Sequence, residues 1–236
     1  MTSNKLQTGI NKLDEILDGG IPEGHIILVS GASGTGKTIL GLQYLFKGAE
    51  LGEGGIYISH TEEEDSIIQN LEVMDFYRKE HVKKGLVRVV DCKNFPDLSN
   101  IDSTTLDGAI GMIDEMIGPG TKRIVIDSIT SICDTFGENR FPMRKFIYGL
   151  RTSLRARGMT ALILSEVPPL TVQYSKYGME EFISDGIILL QDVSGVKQMK
   201  RSLVVMKMRG VNHSREYHAV VIKEDGITLE SLFLSG

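Results

Sequence analysis

Residues 31–38 read Gly-Ala-Ser-Gly-Thr-Gly-Lys-Thr and fit G-x-x-x-x-G-K-[ST], with Gly31, Gly36, Lys37 and Thr38 at the fixed positions. Residues of these types in this order grip a polyphosphate. Backbone N–H groups of a glycine-rich loop wrap the phosphates, and the helix that follows points its positive dipole at them. Gly31, Gly34 and Gly36 allow the close approach that a β-carbon blocks, while Ala32, Ser33 and Thr35 between them are compact. Lys37 then reaches the β- and γ-phosphates. The Thr38 hydroxyl is placed to ligate a magnesium ion that bridges the same oxygens, and Ile39 is expected to complete the nucleotide-binding stretch as the chain enters the helix. The expected ligand of this loop (P-loop) is a nucleoside triphosphate with Mg2+.

Carboxylates elsewhere could complete a hydrolytic set. The run 122–128 (KRIVIDS) is an apolar strand that carries one carboxylate, Asp127, to its C-terminal edge. That is what a Walker B strand needs to hold the magnesium shell opposite Thr38. The run 54–59 (GGIYIS) is followed at once by His60-Thr61-Glu62-Glu63-Glu64-Asp65. A carboxylate at such a strand end can orient a water toward a γ-phosphate. The same acids also open a helix with apolar Ile67, Ile68 and Leu71, where the dipole favours them. Both roles fit, with one Glu acting on water and the others capping; Glu62 and Glu63 stay open as the choice. Ser165-Glu166 ends the strand 159–165, where a polar side chain can sense the γ-phosphate.

The elements that must position these groups follow from periodicity. Helical spacing predicts a short amphipathic helix within 9–20, the P-loop helix over about 37–51, and further helices over 106–117 and 141–157. Strands are expected at 26–30, 54–59, 86–91, 122–128 and 159–165, each separated from the next by helical patterns, which indicates a parallel sheet. The last third differs: 186–191, 202–208, 216–222 and 227–230 read as strands joined by turns at Ser194-Gly195 and Asp225-Gly226, so antiparallel strands extend the sheet. Residues 92–103 read as a polar loop, and 167–178, with two prolines, as a mobile one. The expected fold class is α/β: a mainly parallel sheet flanked by helices with antiparallel C-terminal strands, as a single domain over 1–236.

Composition excludes several classes. A net charge of −5 gives no global pull toward nucleic acid or acidic membranes. Cys92 and Cys133 lie far apart without metal-ligand spacing, so neither a zinc site nor a disulfide is indicated and a reducing, cytoplasmic setting is expected. The N-terminal stretch MTSNKLQTGI lacks the apolar region of a secretory leader, and no run is long enough to span a membrane.

Several stretches together resemble the KaiC-like proteins among the RecA-like ATPases. They are TGINKLDEILDGGIPEG, SGASGTGKT, IYISHTEE, IVIDS, YGMEEFISDGIILL and KMRGVNHS, and the likeness spans almost the whole chain as one KaiC-type domain. The resemblance implies homo-oligomeric rings, usually hexamers, with ATP between subunits and a regulatory or signalling role. It implies that the Lys and Arg of KMRG, here Lys207 and Arg209, reach the γ-phosphate of the neighbour's nucleotide, and that His213 touches that nucleotide as well. It also implies two adjacent glutamates after the second strand, where this chain has Thr61 and Glu62. From the residues themselves, an alternative is that Lys207 and Arg209 are outward positions of an exposed strand, sharing one face with Val205.

Three functions are consistent with these features. One is an ATPase whose site is completed across an interface. Another is a nucleotide-gated interaction module with little turnover, which Thr61 motivates. The third is DNA handling, for which Lys197, Lys200, Arg201, Lys207, Arg209 and Arg215 form a basic segment. The loops 134–141 and 166–181 carry as much acid as base, so nucleic acid is not the expected partner; ATP, ADP and further copies of the chain are.

Overall fold

The computed structural model describes residues 4–232 apart from 93, 94, 97, 99–102, 170, 172 and 195–198. A two-stranded ribbon, β1 (Lys5–Leu6) with β2 (Ile21–Pro22), brackets helix α1 (Asn11–Ile16). Then β3 (Ile26–Gly31), α2 (Lys37–Glu50), β4 (Gly54–Ser59), α3 (Glu64–Leu71), α4 (Lys79–Lys83) and β5 (Val87–Asp91) follow in order. The middle of the chain forms α5 (Ser103–Met116), β6 (Thr121–Asp127), α6 (Ile129–Asp134), α7 (Arg140–Ala156) and β7 (Thr160–Glu166). It ends with α8 (Glu180–Ile183), β8 (Gly186–Ser194), β9 (Met199–Met208), β10 (His218–Lys223) and β11 (Gly226–Ser231).

Nine strands form one sheet in the order β11-β10-β9-β8-β3-β7-β6-β4-β5. From β8 to β5 every pairing is parallel, and β9, β10 and β11 extend the sheet antiparallel. This is the fold class expected from the pattern. β3 has a strand on each side, helices over both faces and every residue buried, which is why it reads as an uninterrupted apolar run.

Strand alternation sorts the core into two layers. Ile27, Val29, Tyr57, Val125 and Leu162 pack with Leu40, Tyr44 and Phe46 of α2 on one face. On the other, Ile26, Leu28, Ile56, Ile58 and Ile126 pack with Ile113 of α5 and Phe146 and Leu150 of α7. Arg123 at the start of β6 is a charged side chain buried in this interior. Its guanidinium pairs with Glu53, donates to the Gln7 and Tyr44 carbonyls at 2.6 and 2.8 Å, and lies 4.5 Å from the Tyr44 ring centroid.

The structure departs from expectation in three places. α6 follows Asp127 directly, capped by the Ser128 hydroxyl accepting from the Ser131 N–H at 3.1 Å. The 167–178 loop is tied down in its second half: Lys176 pairs with Asp134 at 2.7 Å, and Ser175 is buried and accepts the Gly178 N–H at 3.1 Å. And β9 bulges: Ile187 pairs with Lys207 but Ile188 with Val205, leaving Met206 without a partner in the register. Of the expected loop 92–103, residues 93, 94, 97 and 99–102 lie outside the described residues, as does Gly195 of the expected turn. No helix among the described residues is long and apolar enough to cross a membrane.

Candidate functional site

The C-terminal ends of β3, β4, β6 and β7 lie side by side, and the connections leaving the neighbours β3 and β7 run to opposite sides of the sheet, β3 to β4 and β7 to β8, the usual place for a ligand crevice in an open α/β sheet. β3 delivers the P-loop there. A β-carbon on Gly31 would lie 2.5 Å from the Leu190 carbonyl oxygen, so only glycine lets the strand turn at that point. Gly36, the residue before α2, has φ +104, a left-handed conformation that other residues adopt only under strain. Ser33, Gly34, Gly36, Lys37, Thr38 and Ile39 line a cleft of about 530 Å3 with Thr61, Glu62, Asp127, Ser128, Glu166, Arg201 and Ile222. Gly31, Ala32 and Thr35 form the body of the loop behind this surface, where the buried Thr35 hydroxyl donates to the Ala32 carbonyl at 2.8 Å.

Lys37 is folded back on its own loop. Its ammonium donates to the Gly31 and Ala32 carbonyls, each at 2.8 Å, and only 8% of the residue is exposed. Burial lowers its pKa from the ordinary lysine value, and the facing Glu166 and Asp127 carboxylates oppose that shift. The Thr38 hydroxyl donates to Asp127 Oδ2 at 2.9 Å, and the buried Tyr57 hydroxyl donates to the same oxygen. A hydroxyl and a carboxylate side by side on the cleft are hard oxygen donors suited to magnesium. Among the described residues no group of three or more His, Cys, Asp or Glu forms a metal cage. Magnesium tolerates this, since it binds through one or two protein oxygens plus substrate phosphates and water.

The structure separates the two glutamates. Glu62 lines the cleft, its N–H donating to the Ser59 hydroxyl at 2.9 Å. Glu63 precedes α3, its carbonyl accepting the Ile67 N–H at 3.1 Å, and lies outside the cleft lining. Ser165 needs a correction. It is fully buried with its hydroxyl 3.1 Å from that of Thr130, so it does not reach the cleft; the next residue, Glu166, does. One step along a strand reverses the side a residue faces, and that parity decides between them.

β9 divides its cations between the two ends of the sheet. Arg201, paired with Asp192 beyond the level of Gly31, donates from Nε to the Gly34 carbonyl at 2.9 Å and lines the cleft of its own chain. Lys207 and Arg209 lie at the other end. Lys207 is level with Leu28 through Ile187, and its ammonium donates to the Ser184 carbonyl at 2.7 Å. The Arg209 N–H donates to the Asp185 carbonyl at 2.9 Å, and the Asp185 N–H to that of Ile26 at 2.7 Å. Five residues of strand separate Ile26 from Gly31, about 17 Å at roughly 3.3 Å per residue. His213 follows β9 with Nδ1 3.0 Å from the Ser214 carbonyl, and neither it, Lys207 nor Arg209 lines the cleft. The expectation that Val205 and Lys207 share a face fails at the bulge: Val205 and Met208 pack in the α2-side core, while Met206 packs on the opposite side, with Lys207 reaching Ser184.

Tyr57 and Arg201 are site residues that the sequence did not disclose. The register of β9 would have found Arg201, since it pairs one strand over from the P-loop end of β8.

Comparison with known proteins places this geometry in a family. The model of the KaiC ATPase family matches residues 6–232. The circadian clock oscillator protein KaiC of Prochlorococcus marinus is 32% identical over 235 residues, 98% of this chain and 47% of that protein, so the chain spans about half the length of that relative. A UPF0273 protein of Thermotoga maritima is 33% identical over 237 residues, 95% of each chain. The crystal structure of a KaiC-like protein from Pyrococcus horikoshii matches with a TM-score of 0.84 at 30% identity, covering 96% of this chain and 99% of that one. The chain belongs to the KaiC family of ATPases.

Proposed function

We propose that this protein binds Mg–ATP in the P-loop cleft and hydrolyses it to ADP and phosphate at the junctions of a homo-oligomeric ring. The division of cations along β9 carries this reading. Lys207 and Arg209 stand at the far end of the sheet from the cleft of their own chain, so they serve a nucleotide only when an adjacent copy presents one.

The residues divide the work as follows. The loop N–H groups and Lys37 hold the phosphates, the lysine exchanging its two carbonyl partners for phosphate oxygens. Thr38 and Asp127 hold the magnesium ion, which when bound neutralises charge on the phosphates. Glu62 orients the attacking water from the end of β4, a role its place on the cleft favours over Glu63. Lys207 and Arg209 of the neighbour stabilise the charge that develops in the transition state, where a cation placed in advance has its largest effect. Rings of six, with His213 near the neighbour's nucleotide and a regulatory role for the cycle, extend the reading by family resemblance.

Native mass measurement with and without Mg–ATP, together with phosphate release across a protein dilution series, tests it. Activity per subunit should rise with assembly. A protein that stays monomeric and turns over ATP at the same specific rate at every concentration would overturn it.

One observation favours a second reading, a nucleotide-gated module with little turnover. Thr61 lines the cleft where the family resemblance implies a glutamate. A single-turnover measurement on the assembled ring decides, since substantial phosphate release within one binding event rules it out. The basic segment considered for DNA is dispersed among the described residues, with Arg201 at the P-loop and Lys207 and Arg209 at the other sheet end.

A further inference from the structure

The arginine proposed to act across the junction is bonded to a buried carboxylate. Asp185, in the segment 177–186 (YGMEEFISDG), is 3% exposed. Its Oδ2 accepts the Ile26 N–H at 3.1 Å, and its own N–H donates to the Ile26 carbonyl at 2.7 Å. Both bonds seat it against the first residue of β3, the strand that ends in the P-loop. Its Oδ1 accepts from Arg155 of α7 at 2.8 Å and from Arg209 at 3.3 Å, and its carbonyl accepts the Arg209 N–H at 2.9 Å. Arg209 is thus held by both backbone and guanidinium, while its side chain stays 54% exposed and keeps most of its five donors for a partner.

The surroundings are crowded with positive charge. Burial lowers the Lys207 pKa from the ordinary lysine value, and the Arg209 and Arg151 guanidiniums lower it further, with Asp185 and Glu181 opposing them. Here Lys207, Arg209, Arg151 and Arg155 face Asp185 and Glu181, so cations outnumber acids and the set is suited to meet an anion.

We infer that Asp185 is a positioning residue for hydrolysis in the adjacent subunit, aiming Arg209 by tying it to the central sheet. A misplacement of about 1 Å at a reacting centre can reduce rate on the order of 10²-fold, which gives the anchor its kinetic weight. The inference rests on the proposed action of Lys207 and Arg209 across the junction.

Mixed assemblies test it. Asp185→Asn retains an acceptor for Ile26 but loses the charge, and should lower kcat roughly 10- to 100-fold while KM stays within about twofold. Mixed one to one with Lys37→Ala, whose Arg209 is intact, it should regain activity. A head-to-tail junction pairs opposite faces, so random mixing puts a competent pair at about a quarter of the junctions. Arg209→Ala mixed with Lys37→Ala is the control for the underlying reading. If that control recovers activity and the Asp185→Asn mixture does not, Asp185 acts within its own chain and the inference falls while the trans reading stands. If neither mixture recovers, the trans reading falls and takes this one with it. Arg155→Met removes the bond to α7 and should leave kcat within about twofold; a loss equal to that of Asp185→Asn would show that Asp185 merely holds α7. ATP affinity and melting temperature confirm that Asp185→Asn folds. Should it not fold, Asp185→Ser, which keeps a hydroxyl for the Ile26 N–H, enters the same mixtures.

Discussion

Replacing Arg209 by Ala separates a catalytic role from a structural one, because the two predict effects of very different size. The side chain is 54% exposed and makes one ion pair, to Asp185 at 3.3 Å, and Asp185 keeps Arg155 at 2.8 Å and the Ile26 N–H afterwards. No buried charge is orphaned, so the loss of stability is that of an exposed pair, below about 1 kcal/mol. For a chain of this size that is a melting shift of at most about 4 °C. Turnover should respond far more. Removing one group positioned for transition-state charge lowers kcat by about 10²–10³-fold, or about 2.7–4 kcal/mol, and Lys207 remains to hold the effect near that range. ATP affinity should stay close to wild type, since Arg209 lies outside the cleft of its own chain. Phosphate release at saturating Mg–ATP, nucleotide titration and thermal melting on the same preparation measure the three quantities. A kcat within threefold of wild type in an assembled ring would refute the assignment, as would a loss that merely tracks a collapse in melting temperature.

Arg123→Met should destabilise the protein by about 3–5 kcal/mol, because it leaves Glu53 without its guanidinium in a largely buried pair. At roughly 2–4 °C per kcal/mol this lowers the melting temperature by about 6–20 °C, and a shift below 3 °C would show that the pair contributes little. Gly36→Ala should abolish nucleotide binding, since φ is +104 and the new β-carbon would lie 2.9 Å from Ile222 Cδ1; an unchanged ATP titration would contradict it. The pH dependence of Asp185 has a defined sign. Burial raises its pKa, but the Ile26 N–H and the Arg155 guanidinium outweigh that and hold it below the ordinary 3.8. Its stabilisation is therefore full above pH 3.8 and fades as pH falls through the lower folded value. The stability gap between wild type and Asp185→Asn in urea melts should accordingly be constant at neutral pH and shrink below that point.

What the sequence disclosed and what it hid divide along a physical line. The P-loop and Asp127 were legible because their chemistry is local: a loop of fixed spacing, and a carboxylate at the end of an apolar run. The sheet was legible because strands buried on both faces leave unbroken apolar runs. Glu62 and Glu63 differ by one position, and both suit a helix start; only the place where β4 ends decides which faces the cleft. Ser165 and Glu166 are the same problem at the end of β7. α6 was missed because six residues are too few for a periodic pattern to stand out beside a strand, although its Ser128 cap was present in the sequence. Arg123 reads as a polar flank of β6, and its burial follows from α2 and the N-terminal segment closing over it.

The bulge in β9 shows how a small irregularity sets the reach of a site. In an unbroken strand Lys207 would share the face of Val205 and place an ammonium in the apolar layer under α2. A lone charge there is costly enough that the group would lose its proton or the strand would fray. One extra residue, Met206, shifts the alternation so that Met208 fills the apolar layer and Lys207 passes to the α8 side beside Asp185 and Arg209. Nothing in the run 199–208 announces this, since the bulge contains neither glycine nor proline. The constraint comes from β8, which pairs with β9 along its whole length and with β3 from Gly186 to Leu190, the part beside the bulge. With β8 held in register by the P-loop strand, the slack falls on β9, next to the cations proposed to serve the neighbouring site.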